Sequence, residues 1–169
     1  AGKSTLSWPP RADELERIAV IGVGNLLLKD DGVGIHAIQA LERMEDLPSN
    51  IELFDCDTNA MLVLEAMDKK DRAILIDAYR QGKPPGTITV MAFEASNFQA
   101  APSLSLHEFH FVDALKSSQG VFDVPEDITI VGVEPKEVEV DDRLSPEVER
   151  ALPEVISKVI EIAGVESNP

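Results

Sequence analysis

The stretch from Arg17 to Val23 runs Ile18-Ala19-Val20-Ile21-Gly22 with no polar alternation and is rich in β-branched residues. A short run of that kind is a strand buried on both faces, as in a parallel sheet. After it the period changes. Val33, Ile35, Ile38, Leu41 and Met44 recur at helical spacing, which predicts a helix over Asp31 to Met44 with Asp30 or Asp31 suited to its cap. A strand over Ile51 to Cys56, a helix over Asn59 to Met67 and a strand over Arg72 to Tyr79 follow. In the last of these the apolar run Ala73-Ile74-Leu75-Ile76 ends on Asp77. Gly82-Lys83-Pro84-Pro85-Gly86 is a turn, and Thr87 to Phe93 reads as a strand. The connection is too short for a crossover helix, so that strand is expected to be antiparallel. Glu94 to Ser105 is a polar loop, His107 to Leu115 a short helix, Ile128 to Val133 a strand, and Pro146 to Ala163 a closing helix.

Helices alternating with mostly parallel strands predict a three-layer α/β/α sandwich around a mixed sheet of about five strands. No repeat or internal boundary interrupts the pattern. A single domain is expected over 17–163, between a polar leader at 1–16 and a tail at 164–169. In such folds ligands bind outside the carboxyl ends of the strands, and that end is where chemistry is sought.

Charge narrows the function classes. The 15 Lys and Arg against 31 Asp and Glu give a net charge of -16, which opposes attraction to nucleic acid or anionic lipid. No apolar stretch approaches the roughly 20 residues that span a bilayer, and residues 1–17 lack the apolar core of a secretory signal. A lone cysteine, Cys56, cannot form an internal disulfide. A cytoplasmic, reducing setting and a monomer are expected.

Several candidates for chemistry remain. Gly22-Val23-Gly24-Asn25 after the first strand, with Asp55 ending the next, is similar to the start of a dinucleotide fingerprint. The third glycine position holds Leu27, however, and Asp30 and Asp31 would repel a pyrophosphate at the helix start. Gly2-Lys3-Ser4-Thr5 lacks the first glycine and the preceding strand of a P-loop. A third set comes from loop ends: Asp31 after the first strand, Asp77 after the third and His107 after the polar loop. Asp77 is the most telling, because a carboxylate directly after a buried apolar run needs a partner, and a cation would satisfy it. Two carboxylates and an imidazole suit a borderline divalent ion with positions left open. Read singly, Asp31 serves equally as a cap, Asp77 as an acceptor of backbone amides and His107 as a partly buried polar residue. Spacing does not choose among His36, His107 and His110. Cys56 is either a nucleophile or a small core residue. Gly-x-Ser-x-Gly, His-Glu-x-x-His and Cys-x-x-Cys patterns are absent from the chain.

The segment Gly22-Val-Gly-Asn-Leu-Leu-Leu-Lys-Asp-Asp-Gly-Val-Gly34 resembles the opening motif of the hydrogenase maturation endopeptidases. Ile74-Leu-Ile-Asp-Ala78, Pro85-Gly86-Thr87, Leu104-Ser-Leu-His107, Val131-Gly-Val-Glu-Pro135 and Leu144-Ser-Pro146 are similar to that family's later blocks, in order. The resemblance covers about Arg17 to Ala163. It implies an α/β endopeptidase that removes a C-terminal extension from the large-subunit precursor of a nickel-iron hydrogenase after nickel insertion. It also implies metal ligation, and a catalytic role for the acids, at Asp31, Asp77 and His107, with the nickel supplied by the substrate. Many relatives carry Glu at the position of Asp31, so Asp30 is a second candidate there. Asp55-Cys56-Asp57-Thr58-Asn59 stands where relatives often have a glycine-rich turn, which adds Asp57 as a further carboxylate. A non-catalytic nickel metallochaperone and a nucleotide-binding enzyme are the rival readings.

Overall fold

The computed structural model describes residues 15–94 and 111–164. The expectations for the leader, the loop from 95 and His107 and His110 lie outside them. Five strands form one sheet: β1 (Ile18–Gly22), β2 (Ile51–Asp55), β3 (Arg72–Ala78), β4 (Ile88–Ala92) and β5 (Asp127–Val133). Their order is β2-β1-β3-β5-β4, with β4 antiparallel to β5 and the other pairs parallel. The antiparallel edge strand follows from its short connection, as the sequence pattern predicted. Four helices accompany the sheet in the described residues: α1 (Val33–Glu42), α2 (Ala60–Met67), α3 (Phe111–Ser117) and α4 (Pro146–Ala163).

Alternation along the strands divides the core into two layers. Ile18, Val20, Ile74, Ile76, Val131 and Val133 pack with Val33, Ile38 and Leu41 of α1 and Val148, Val155 and Val159 of α4. Ala19, Ile21, Ala73, Leu75, Ile128 and Ile130 face Val63, Leu64 and Met67 of α2 and Phe111 of α3. Neighbouring positions of one strand therefore feed opposite cores, which explains why β1 and β3 are apolar without interruption. This is the expected sandwich.

The first helix departs from expectation at its start. Lys29–Gly32 is a 3-10 turn, α1 begins at Val33, and Gly32 stands at the cap position. Neither Asp30 nor Asp31 caps the helix, since no side-chain cap bond is made at either element. Both carboxylates are engaged elsewhere. The last helix keeps its predicted bounds and stops at Gly164, whose φ of 72° is the left-handed conformation that terminates helices.

Candidate active site

β1 leaves the sheet at Gly22, and the chain coils back over the carboxyl end of β3. The Val23 amide donates to the Ile76 carbonyl at 3.0 Å, and the Gly24 amide to the Asp57 carbonyl at 2.9 Å. Gly24 has a φ of 131°, and a Cβ there would collide with the Asp31 carbonyl, so the turn requires glycine. The Asn25 amide then donates to Asp31 Oδ2 at 2.8 Å, while Asn25 Oδ1 accepts the Leu27 amide at 3.0 Å. The loop thus aims the partly exposed Asp31 carboxylate over its own mouth. It also accounts for the loop's amides. Gly24 and Asn25 donate to protein oxygens, so the turn is not a phosphate cradle, and the dinucleotide comparison ends at its glycines.

Asp77 lies one position beyond the end of the β1–β3 pairing, in which Gly22 is opposite Ile76, and it is fully buried. The 3-10 turn carrying Asp31 packs on β3, and the Gly34 backbone lies so close to the Ile76 carbonyl that a Cβ would not fit. Asp31 and Asp77 therefore share one end of the sheet, one partly open to solvent and one buried. A carboxylate at zero exposure keeps its charge only with donors or a cation close by.

Asp30, the alternative to Asp31, is fully buried and committed to structure. Its Oδ2 accepts the amides of Lys136 and Glu137 at 2.9 and 3.0 Å and the Ser145 hydroxyl at 2.8 Å. Its Oδ1 accepts the Ser145 amide at 2.8 Å. These bonds hold the segment between β5 and α4, here the strap, against the 3-10 turn. Glu134, the first residue of the strap, ties it to the loop after β3, accepting the Gln81 and Gly82 amides at 2.7 and 3.0 Å. Neither role was legible in the sequence, although Glu134 lies in one of the quoted blocks. Their partners come from distant positions and are mostly backbone amides, which leave no residue-type signature.

Cys56 is 2% exposed within the α2 and α3 core. Burial, then the charges of Asp55 and Glu65, push its thiol up to about 12, so it is a core residue rather than a nucleophile. Asp57 is exposed, with a φ of 48° and its amide on Asp55 Oδ1 at 3.0 Å. It joins the site's rim through the carbonyl that receives Gly24.

His36 lies on α1 in a cavity of about 630 Å³ lined also by Lys29, Arg43, Arg143 and Glu149. Neither Asp31 nor Asp77 lines that cavity. Burial lowers the His36 pKa, against a smaller opposing hydrogen bond to the Asp142 backbone. Among the described residues, no three His, Cys, Asp or Glu side chains converge as a metal-binding group. Asp31 and Asp77 bring two carboxylates near the carboxyl end of β3, and His107, the expected third ligand, lies outside the described residues.

Residues 35–162 match the family model described as hydrogenase maturation protease. The hydrogenase 2 maturation protease of Escherichia coli (strain K12) is 32% identical over 157 residues, covering 90% of this chain and 96% of that protein. The hydrogenase expression/formation protein HupD of Thiocapsa roseopersicina is 33% identical over 145 residues, and there the match spans 80% of this chain and 66% of the relative. Among solved structures, the hydrogenase maturating endopeptidase HybD from E. coli superposes with a TM-score of 0.76 at 31% identity, covering 86% of this chain and 91% of that one. The hydrogenase 2 maturation peptidase from a Thaumarchaeota archaeon superposes at 0.70 with 26% identity, covering 89% and 100%.

Proposed function

The chain belongs to the hydrogenase maturation protease family, and from that membership we propose that it is an endopeptidase that removes the C-terminal extension of a nickel-iron hydrogenase large-subunit precursor once nickel is in place. The carrying observation is the pairing of a partly exposed Asp31 with a fully buried Asp77 at one end of the sheet. A fully buried acid is costly to keep, and such acids gather where a protein does chemistry.

On this reading nickel arrives with the substrate, and Asp31, Asp77 and His107 are its ligands on the protease. Two carboxylates and an imidazole would hold the ion and leave coordination positions to the precursor's own donors. Cleavage then depends on a loaded cargo, because an empty precursor lacks the bridging ion. The cation supplies Lewis acidity near the scissile carbonyl. In the alternative, where nickel serves recognition alone, an aspartate is the general base, Asp31 or Asp77. Asp31, which accepts the Asn25 amide and is partly open to solvent, would then take a proton from an attacking water. Asp77, shielded from water, contributes charge and orientation.

The metallochaperone alternative uses the same ligands and predicts nickel transfer with the partner left intact. Mass spectrometry of a nickel-loaded precursor, incubated with wild-type protein and with Asp77→Ala, tests both readings. The protease reading expects loss of a C-terminal peptide with the wild type only. Processing by Asp77→Ala at the wild-type rate refutes the role given to Asp77, and a loaded precursor left intact by the wild type refutes the protease reading.

The acid excess and the absence, among the described residues, of any helix long and apolar enough to cross a membrane agree with a protein partner rather than nucleic acid or lipid. A cytoplasmic setting and a monomer complete the proposal.

A further inference from the structure

The strap is patterned in reverse of what water favours. Glu137 and Glu139 turn onto Lys29 Nζ at 2.5 and 2.8 Å, and the Lys29 side chain is only 14% exposed. Val138 and Val140, which alternate with them, are 42% and 88% exposed. The acids are thus drawn onto Lys29 while the two valines between and beside them stay in solvent. Leu27, 63% exposed, lies beside this stretch, since its carbonyl accepts the amide of Asp141, the residue after Val140, at 3.1 Å.

This display is held in place. The Lys29 amide donates to the Asp141 carbonyl at 2.8 Å, the Asp30 amide to the Glu137 carbonyl at 3.2 Å, and the Asp30 carboxylate takes the amides of Lys136 and Glu137. A loop fixed at so many points has little ordering entropy left to lose on binding. Apolar side chains clustered in water mark recognition surfaces more often than isolated ones do. The location is equally specific, since Leu27, Lys29 and Asp30 belong to the turn that carries Asp31. Exposed acids on the strap and the neighbouring loop, Glu137, Glu139, Asp142, Asp55 and Asp57, outnumber the exposed bases Lys136 and Arg143 there. An apolar patch in an acidic rim complements a partner that is apolar and basic.

We propose that Leu27, Val138 and Val140 form the docking surface for an apolar segment, flanked by basic residues, of the precursor polypeptide near its scissile bond. The proposal rests on the protease reading for the identity of the partner. It adds which face of the molecule reads the polypeptide, separately from the acids that read the metal.

The test measures the Kd of full-length protein for nickel-loaded precursor, alongside processing kinetics, for the wild type and for Val140→Lys, Leu27→Ser and Val121→Lys. Val140→Lys removes apolar surface and adds charge that a basic partner repels, so its Kd and KM are expected to rise about ten-fold. Leu27→Ser should weaken binding several-fold, and both variants should keep kcat within about two-fold of wild type and an unchanged thermal midpoint. Val121, 72% exposed after α3, is the reference, and Val121→Lys should bind as the wild type does. Wild-type affinity in both Val140→Lys and Leu27→Ser, or equal weakening by Val121→Lys, overturns the docking surface. A wild type that binds but does not cut refutes the protease reading, while the Kd comparison still decides the surface. A wild type that does not bind the precursor overturns both.

Discussion

The hydroxyl and the amide of Ser145 both donate to the carboxylate of Asp30, each at 2.8 Å, across 115 positions of sequence. With the amides of Lys136 and Glu137 on the same carboxylate, the bonds tie the turn before α1 to the start of α4. Asp30 is thereby a structural acid beside Asp31, the acid proposed to act on the substrate.

That difference separates two adjacent aspartates by experiment. Asp30→Asn presents an amide hydrogen to at least one donor that needs an acceptor, in a fully buried site, and should cost about 2–4 kcal/mol of stability. Ser145→Ala removes one hydroxyl bond and should cost about 1 kcal/mol. Urea unfolding of the two variants checks both values, and a cost below about 0.5 kcal/mol for Asp30→Asn would contradict the assignment.

Asp31→Asn and Asp77→Asn should behave oppositely, with processing down by at least about 100-fold and thermal midpoints close to wild type. The comparison is single-turnover cleavage of loaded precursor against thermal unfolding. Retained cleavage in either variant contradicts its assigned role.

Most of the fold was legible in the sequence, for a physical reason. Strands buried on both faces, such as Ile18-Ala19-Val20-Ile21 and Ala73-Ile74-Leu75-Ile76, signal by hydrophobicity alone, and their β-branched content separates them from helices. The start of the first helix was misjudged because Asp30 and Asp31 have the chemistry of caps. Their competing partners, Ser145 and the Asn25 amide, can be seen only once the chain is folded. Asp77 could be singled out because a polar residue ending a buried run is conspicuous locally. The Asp30 clasp and the outward valines are products of tertiary pairing and left no local mark.

Cys56 provides a negative control for the chemistry. With its thiol buried and pushed up to about 12, it should resist alkylation at neutral pH in the native protein and react on unfolding. Cys56→Ala should process precursor at the wild-type rate. Inhibition by a thiol reagent without unfolding would argue for a cysteine route.

His36 should make the fold sensitive to mild acid. Its pKa is lowered by burial, so below the ordinary value of 6.5 the unfolded chain binds a proton that the native state resists. Above 6.5 the ring is neutral in both states and contributes no slope. As pH falls below 6.5, stability should therefore decline until the native ring also titrates. His36→Gln should remove that component, which urea unfolding at pH 7.5 and 5.5 would detect as a smaller difference between the two values.

The central claim is that the protein cuts only a precursor that carries nickel. Its most direct test is intact-mass measurement of nickel-loaded and nickel-free large-subunit precursor after parallel incubation with the wild-type protein. The loaded precursor should lose a C-terminal peptide and the empty one should keep its mass. Equal cleavage of both, or an intact loaded precursor, would contradict it.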